Sequence, residues 1–246
     1  MRRKLYLLIV AATLLLASCG KDPIPGEDPV DEPVRFSVLG DSYSTFVGYV
    51  DPETNDVWYD TMPNNHTDVT SVEQMWWYKV ANEMGWVMEK NNSFSGALIC
   101  NFWGYNSGSY YRHHSFIRRM DNLGDPDVIL VFGGINDVVH GAYSGEFVYS
   151  DWTEGQLENY RPALAYLFDS LKRRYPTAKI YFMVDMWLYD YDPEGQRFVE
   201  SVHTIARHYG IGCFDLYDIQ KSWGHPSAQG MVDIATQVVS ALMEAA

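Results

Sequence analysis

Val34-Arg35-Phe36-Ser37-Val38-Leu39-Gly40-Asp41-Ser42-Tyr43-Ser44, residues 34–44, runs from a short apolar stretch into a glycine, an acid and a serine. The apolar part has the length and β-branched character of a strand covered on both faces. A small residue before a serine at a strand-to-helix turn lets the hydroxyl stand at the top of a sheet. Alone, Gly-Asp-Ser also describes an ordinary turn with an Asp or Ser helix cap. Its meaning depends on what stands at the ends of the other strands.

Four more segments read as strands: Trp86–Asn91, Asp127–Phe132, Lys179–Val184 and Ile211–Leu216. Between and after them, helical periodicity covers Val72–Met84, Gln156–Arg174, Glu194–Tyr209 and Ala228–Glu244. Strand–helix alternation predicts an α/β fold, a three-layer α/β/α sandwich around a mainly parallel five-stranded sheet. In such sheets ligands bind beyond the carboxyl ends of the strands. Three more motifs stand there. Asn91-Asn92-Ser93-Phe94-Ser95-Gly96 follows the second strand, and Gly96 can offer a bare backbone N–H. Gly133-Gly134-Ile135-Asn136-Asp137 follows the third, and the Asn136 amide can donate to a developing oxyanion. Gly224-His225-Pro226-Ser227 follows the fifth. Individually these are a loop glycine, an Asn or Asp cap and an exposed loop histidine; four together, in order, would converge on one crevice.

This set resembles the SGNH (GDSL-type) serine hydrolases, in which a Ser, a Gly, an Asn and a His mark four sequence blocks. The match takes in Ser42, Gly96, Asn136 and His225 and spans about residues 34 to 244. The resemblance implies a flavodoxin-like fold over 34–246. It makes Ser42 the nucleophile and His225 the general base. The oxyanion hole would be formed by the Ser42 and Gly96 backbone N–H groups and the Asn136 side chain, and no cofactor or metal is required. The implied activity is ester hydrolysis. One departure stands out: the family places an Asp three residues before the His, and here that residue is Ser222. Asp218 or Asp215 could reach back to His225, or a backbone carbonyl could take over, leaving a Ser–His dyad. Of the acids, Asp218 is better placed, since it follows the fifth strand whereas Asp215 lies inside it.

Aromatic residues crowd the same blocks. Trp103 and Tyr105, in a Gly/Asn/Ser-rich loop after Gly96, are the candidate substrate-binding rings. They favour a small acyl ester on carbohydrate as the partner molecule, with a lipid or simple ester, or noncatalytic glycan binding by the same fold, as alternatives. Arg118 and Arg119 are expected on a surface helix, as are His113 and His114.

Among 246 residues, 47% hydrophobic, the formal net charge of −14 excludes a basic nucleic-acid-binding surface. No CxxC or HExxH spacing supports zinc. Cys100 and Cys213 are expected as free thiols. At the front, Arg2, Arg3 and Lys4 precede an apolar run, Leu5 to Ala17, too short to span a bilayer. It ends in Leu16-Ala17-Ser18-Cys19, which resembles a bacterial lipobox. That resemblance implies removal of 1–18 and lipid on Cys19. A proline-rich, acidic tether, 19–33, would then carry the domain at the cell envelope, with the lipid as its membrane contact.

Overall fold

A computed structural model describes residues 32–51, 53–62, 65–104 and 112–245. The signal segment, Cys19, most of the tether and Tyr105 lie outside the described residues. The described chain supplies five parallel strands: β1 (Arg35–Gly40), β2 (Val87–Asn91), β3 (Val128–Phe132), β4 (Lys179–Asp185) and β5 (Gly212–Leu216). They form one sheet in the order β2-β1-β3-β4-β5. β1 sits inside the sheet, hydrogen-bonded to β2 on one side and β3 on the other.

The inner strands face two cores. Along β3, Val128, Leu130 and Phe132 join a cluster with Phe36, Val38, Trp76 and Ile234. Ile129 and Val131 point the other way, into a cluster with Leu164, Phe168, Phe198 and Val202. The first core lies under α1 (Trp76–Met84) and the C-terminal helix α7 (Ala228–Glu244). The second lies under α4 (Tyr160–Arg174) and α6 (Pro193–Tyr209). Full burial of a β3 aliphatic side chain is worth roughly 1.5–3 kcal/mol, which explains why β3 and the interior of β4 read as unbroken apolar runs. Three shorter helices, α2 (Phe116–Arg119), α3 (Ile135–Val139) and α5 (Trp187–Tyr191), line the strand ends. No helix among the described residues is long and apolar enough to cross a membrane.

The strands, α6 and α7 follow the expected boundaries to within a residue. Two helices do not begin where periodicity puts them. Gln156–Glu158 is a separate 3-10 turn, and Asn159 is extended before α4 begins. Pro162 explains the break: in a continuous helix its ring would clash with the Glu158 carbonyl, so it is tolerated only in a first turn. Val72–Gln74 is likewise a 3-10 turn, closed by the Gln74 side chain accepting from the Thr70 and Ser71 N–H groups. Cys100 and Cys213 are both free; Cys100 is buried and Cys213 partly so.

After β5 the chain folds into a small antiparallel hairpin, β6 (Lys221–Ser222) and β7 (His225–Pro226). Its connecting residues, Trp223 and Gly224, have φ of 51° and 77°. Positive φ at both central positions is what a two-residue type I′ hairpin requires. For glycine this is free, whereas for a tryptophan the left-handed region costs roughly 1–2 kcal/mol. A strained non-glycine residue therefore sits two positions before His225.

Candidate active site

At the end of β1 the backbone is tightly enclosed. A Cβ on Gly40 would lie 2.6 Å from Ser44 Oγ and 2.7 Å from Ser93 Oγ. Asp41 then caps the 3-10 turn Ser42–Ser44, its Oδ1 accepting from the Tyr43 N–H at 3.0 Å. Beneath this turn lies Arg119, buried rather than on the expected surface. Its guanidinium donates to the Gly40 carbonyl at 3.0 Å, to the His114 carbonyl at 2.6 Å and to the Asn92 carbonyl. It thus braces the strand ends from below and is not free for an anionic substrate. Burial pushes the Asp41 carboxyl up to about 7, against the Tyr43 N–H and the charge of Arg119. Burial likewise pushes Arg119 down to about 9, opposed by Asp41. Arg118, by contrast, pairs with Glu154 at the surface.

His225 comes to Ser42 across 183 positions of sequence: Nε2 lies 2.9 Å from Ser42 Oγ. Nδ1 lies 3.2 Å from the Trp223 carbonyl oxygen. A carbonyl can only accept, so Nδ1 carries the proton and Nε2 presents its lone pair to the serine hydroxyl. The imidazole is also held by rings. Trp58 stacks on it with centroids 3.6 Å apart and planes 7° from parallel, and Tyr43 meets it edge-on at 5.5 Å. The Tyr43 hydroxyl donates to the Gly224 carbonyl at 2.7 Å, and the Tyr59 hydroxyl to the Pro226 carbonyl at 2.8 Å. Burial pushes His225 down to about 4, with the Trp223 carbonyl opposing and the Lys221 charge assisting. The ring is therefore neutral at ordinary pH.

Neither candidate acid reaches His225. Asp215 is bonded to His203 Nε2 at 2.8 Å instead. Asp218 is exposed and lines a separate surface cavity. The expectation for Asp218 is corrected here: the chain turns at Asp218 itself, with φ of 51°, before β6 begins. Among the described residues no carboxylate is hydrogen-bonded to His225.

Ser42, Asn136 and His225 line one cavity of about 440 Å³. Asn136 is not the cap of α3, which is Gly134. Its Nδ2 donates to the Ala97 carbonyl at 3.0 Å, joining the third block to the residue after Gly96 and leaving its second N–H. Gly96 has φ of 80°, a conformation suited to glycine. The backbone N–H groups of Ser42 and Gly96 find no backbone acceptor among the described residues. Asp137 is fully buried and accepts from the Ile99 N–H at 2.8 Å and the Cys100 N–H at 3.2 Å, fixing the loop that follows Gly96. Burial pushes its carboxyl up to about 6 despite those bonds.

Trp103 is 61% exposed and does not line the cavity; it lies against Arg112 instead. The aromatic and apolar wall comes from Trp187, Tyr191, Ile135 and Val139. Lys221 completes it, ion-paired to the buried Asp185 at 2.6 Å, with Nζ 4.5 Å from the Trp187 ring. Sequence reasoning misses Lys221, because a lone lysine in a short connecting segment reads as surface. No group of residues suited to holding a metal ion occurs among those described.

Comparison with known families adds the decisive observation: the GDSL-like Lipase/Acylhydrolase family model matches residues 34–242. The chain belongs to this family. The GDSL-like fold recurs in a protein from Bacteroides ovatus assigned to the GDSL-like lipases, 46% identical with a TM-score of 0.80. That match covers 87% of this chain and all (100%) of the other. A Bacteroides uniformis protein of the same assignment is 44% identical, with a TM-score of 0.79, covering 87% of this chain and 97% of the other. An acetyl xylan esterase from the rumen bacterium Butyrivibrio proteoclasticus shares the fold at 16% identity and a TM-score of 0.52, covering 86% of this chain and 64% of the other. Comparison with curated proteins finds no match.

Proposed function

We propose that this GDSL-like hydrolase is a serine esterase that removes small acyl groups from carbohydrate through a Ser42–His225 dyad. The observation that carries this reading is the alignment of Ser42 Oγ, His225 Nε2, His225 Nδ1 and the Trp223 carbonyl. Ser42 Oγ attacks the ester carbonyl while Nε2 takes its proton. The Ser42 and Gly96 N–H groups and the free Asn136 N–H stabilise the oxyanion. The imidazolium then protonates the leaving alcohol, and water, deprotonated by the same nitrogen, releases the acid.

The dyad differs from a triad in a definable way. In a serine protease, replacing the triad acid by its amide costs about 10⁴ in rate, chiefly through the wrong tautomer. Here the carbonyl already selects the right tautomer, so only the charge support for imidazolium is missing. Burial of the ring, to which the Trp58 stack contributes, and the charge of Lys221 both work against the imidazolium. The apolar wall of Ile135 and Val139 suits a short acyl chain, and Trp187 and Tyr191 suit a sugar ring. The acetyl xylan esterase of the same fold lends this substrate class weight. A lipid on Cys19 would place the enzyme at the cell envelope. The test is a fluorophosphonate probe together with hydrolysis of acetylated glycans and short aryl esters. Labelling at Ser42 alone, lost in Ser42→Ala together with all turnover, is the expected result. Labelling elsewhere, or activity surviving in Ser42→Ala, would overturn the dyad.

A further inference from the structure

A second cavity, of about 500 Å³, lies beside the catalytic one and shares Trp187 with it. Three large rings line it: Trp187, Tyr189 and Tyr217, which are 42%, 40% and 54% exposed. The backbone that carries them is fixed, and two of the rings, Tyr189 and Trp187, are themselves engaged. The Tyr189 hydroxyl accepts from Gln196 Nε2 at 3.0 Å. Gln237 clamps the Tyr217 backbone from both sides, accepting its N–H and donating to its carbonyl, each at 2.9 Å. Asp185 Oδ1 accepts the Trp187 backbone N–H at 3.1 Å, and Lys221 lies over the ring. Two carboxylates, Asp190 and Asp218, share the cavity. Neither makes an ion pair or a side-chain hydrogen bond among the described residues.

Aromatic faces on a fixed backbone beside unengaged carboxylates form a surface for a polyhydroxylated ring. The C–H faces of a pyranose stack on the aromatics, and pairs of hydroxyls donate to the carboxylates. Two negative charges in a chain of net charge −14 disfavour a uronate. We infer that this cavity is a subsite for a neutral sugar ring, next along the chain from the sugar whose acyl ester sits at Ser42. This inference rests on the carbohydrate esterase reading for its placement, and it deepens that reading by giving the leaving group a length of at least two sugars. The shared Trp187 is the wall between the two rings. Asp218 then acts in substrate binding and not in orienting the base.

The experiment has two arms. In the first, the Ser42→Ala protein is titrated with xylo-, manno- and cello-oligosaccharides of four units and with an oligogalacturonide, followed by tryptophan fluorescence. In the second, a Tyr217→Ala/Asp218→Asn double variant is compared with wild type. The readout is the ratio of kcat/KM on an acetylated oligosaccharide to that on 4-nitrophenyl acetate. Saturable binding of at least one neutral oligosaccharide is expected. The double variant should lower the ratio by about tenfold or more, mainly through KM, as loss of a stacking ring and a charged acceptor implies. Turnover of esters with an unchanged ratio, and no saturable binding, overturns the subsite while leaving the esterase standing. No turnover of any ester, with binding present and lost in the double variant, upholds the subsite and overturns the esterase. Tighter binding of the oligogalacturonide than of every neutral sugar overturns the assignment to a neutral ring.

Discussion

Replacing Trp58 by alanine removes the ring stacked at 3.6 Å on one face of His225 and lets water reach the imidazole. Burial is the largest cause holding that imidazole at about 4. Relative to an unperturbed value of about 6.5, this lowers proton affinity about 300-fold. Protonation disables the base, so kcat/KM falls as pH drops through the folded value. At pH 5.5 a base with a pKa of about 4 is roughly 97% neutral, whereas one at about 6.5 is roughly 9% neutral. The wild type is therefore expected to hold its plateau through pH 5.5, with an acid limb near 4. In Trp58→Ala the limb moves up towards 6.5, and activity at pH 5.5 relative to pH 7.5 falls by up to about tenfold. The assay is kcat/KM for a short aryl ester across pH 4 to 8, read at an isosbestic wavelength. A wild-type limb between 6 and 7, or an unmoved limb in Trp58→Ala, would refute the reasoning. Stability carries the same sign: below about 6.5 the unfolded imidazole binds a proton that the folded one does not take up until about 4. This group therefore lowers stability as pH falls across that window.

Asn136→Ala should lower kcat by roughly 10²–10³ with the fold retained by circular dichroism, as loss of one oxyanion donor does; normal turnover would make Asn136 only a tie to Ala97. Asp137→Ala strands the Ile99 and Cys100 N–H groups and should cost about 2–4 kcal/mol in denaturant melts. Asp137→Asn, which keeps one acceptor oxygen, should cost less, and equal losses would show that those bonds are not the cause. Ser222 pairs with His225 across the hairpin, so their side chains leave the same face. Ser222→Asp is expected to raise the imidazole pKa, move the acid limb upward and increase kcat; an unmoved limb would show that the carboxylate does not reach the ring.

What the sequence discloses here follows from burial. β3 is covered on both faces, so Val128-Ile129-Leu130-Val131-Phe132 announces itself, and with it the strand ends that collect Ser42, Asn136 and His225. Arg119 stays hidden because its partners are three main-chain carbonyls, which have no side-chain signature. The group orienting His225 is hidden for the same reason: a carbonyl oxygen belongs to every residue, and only the left-handed turn at Trp223 aims this one. A search for a carboxylate therefore points to Asp218, which the turn after β5 carries elsewhere. Trp103 misleads because aromatic character alone does not say which way a loop faces.

The two halves of the dyad rest on elements of very different cooperativity. Ser42 follows a strand with ladders on both sides, whose amides should exchange with solvent only on global opening. His225 rides on a two-residue ladder around a strained turn, secured to the body by the Tyr43 and Tyr59 hydroxyls. Such a hairpin can detach by a local fluctuation that leaves the sheet intact. Heating should thus silence the enzyme some degrees before the calorimetric transition, and reversibly, since nothing in the core has yet been exposed to aggregate.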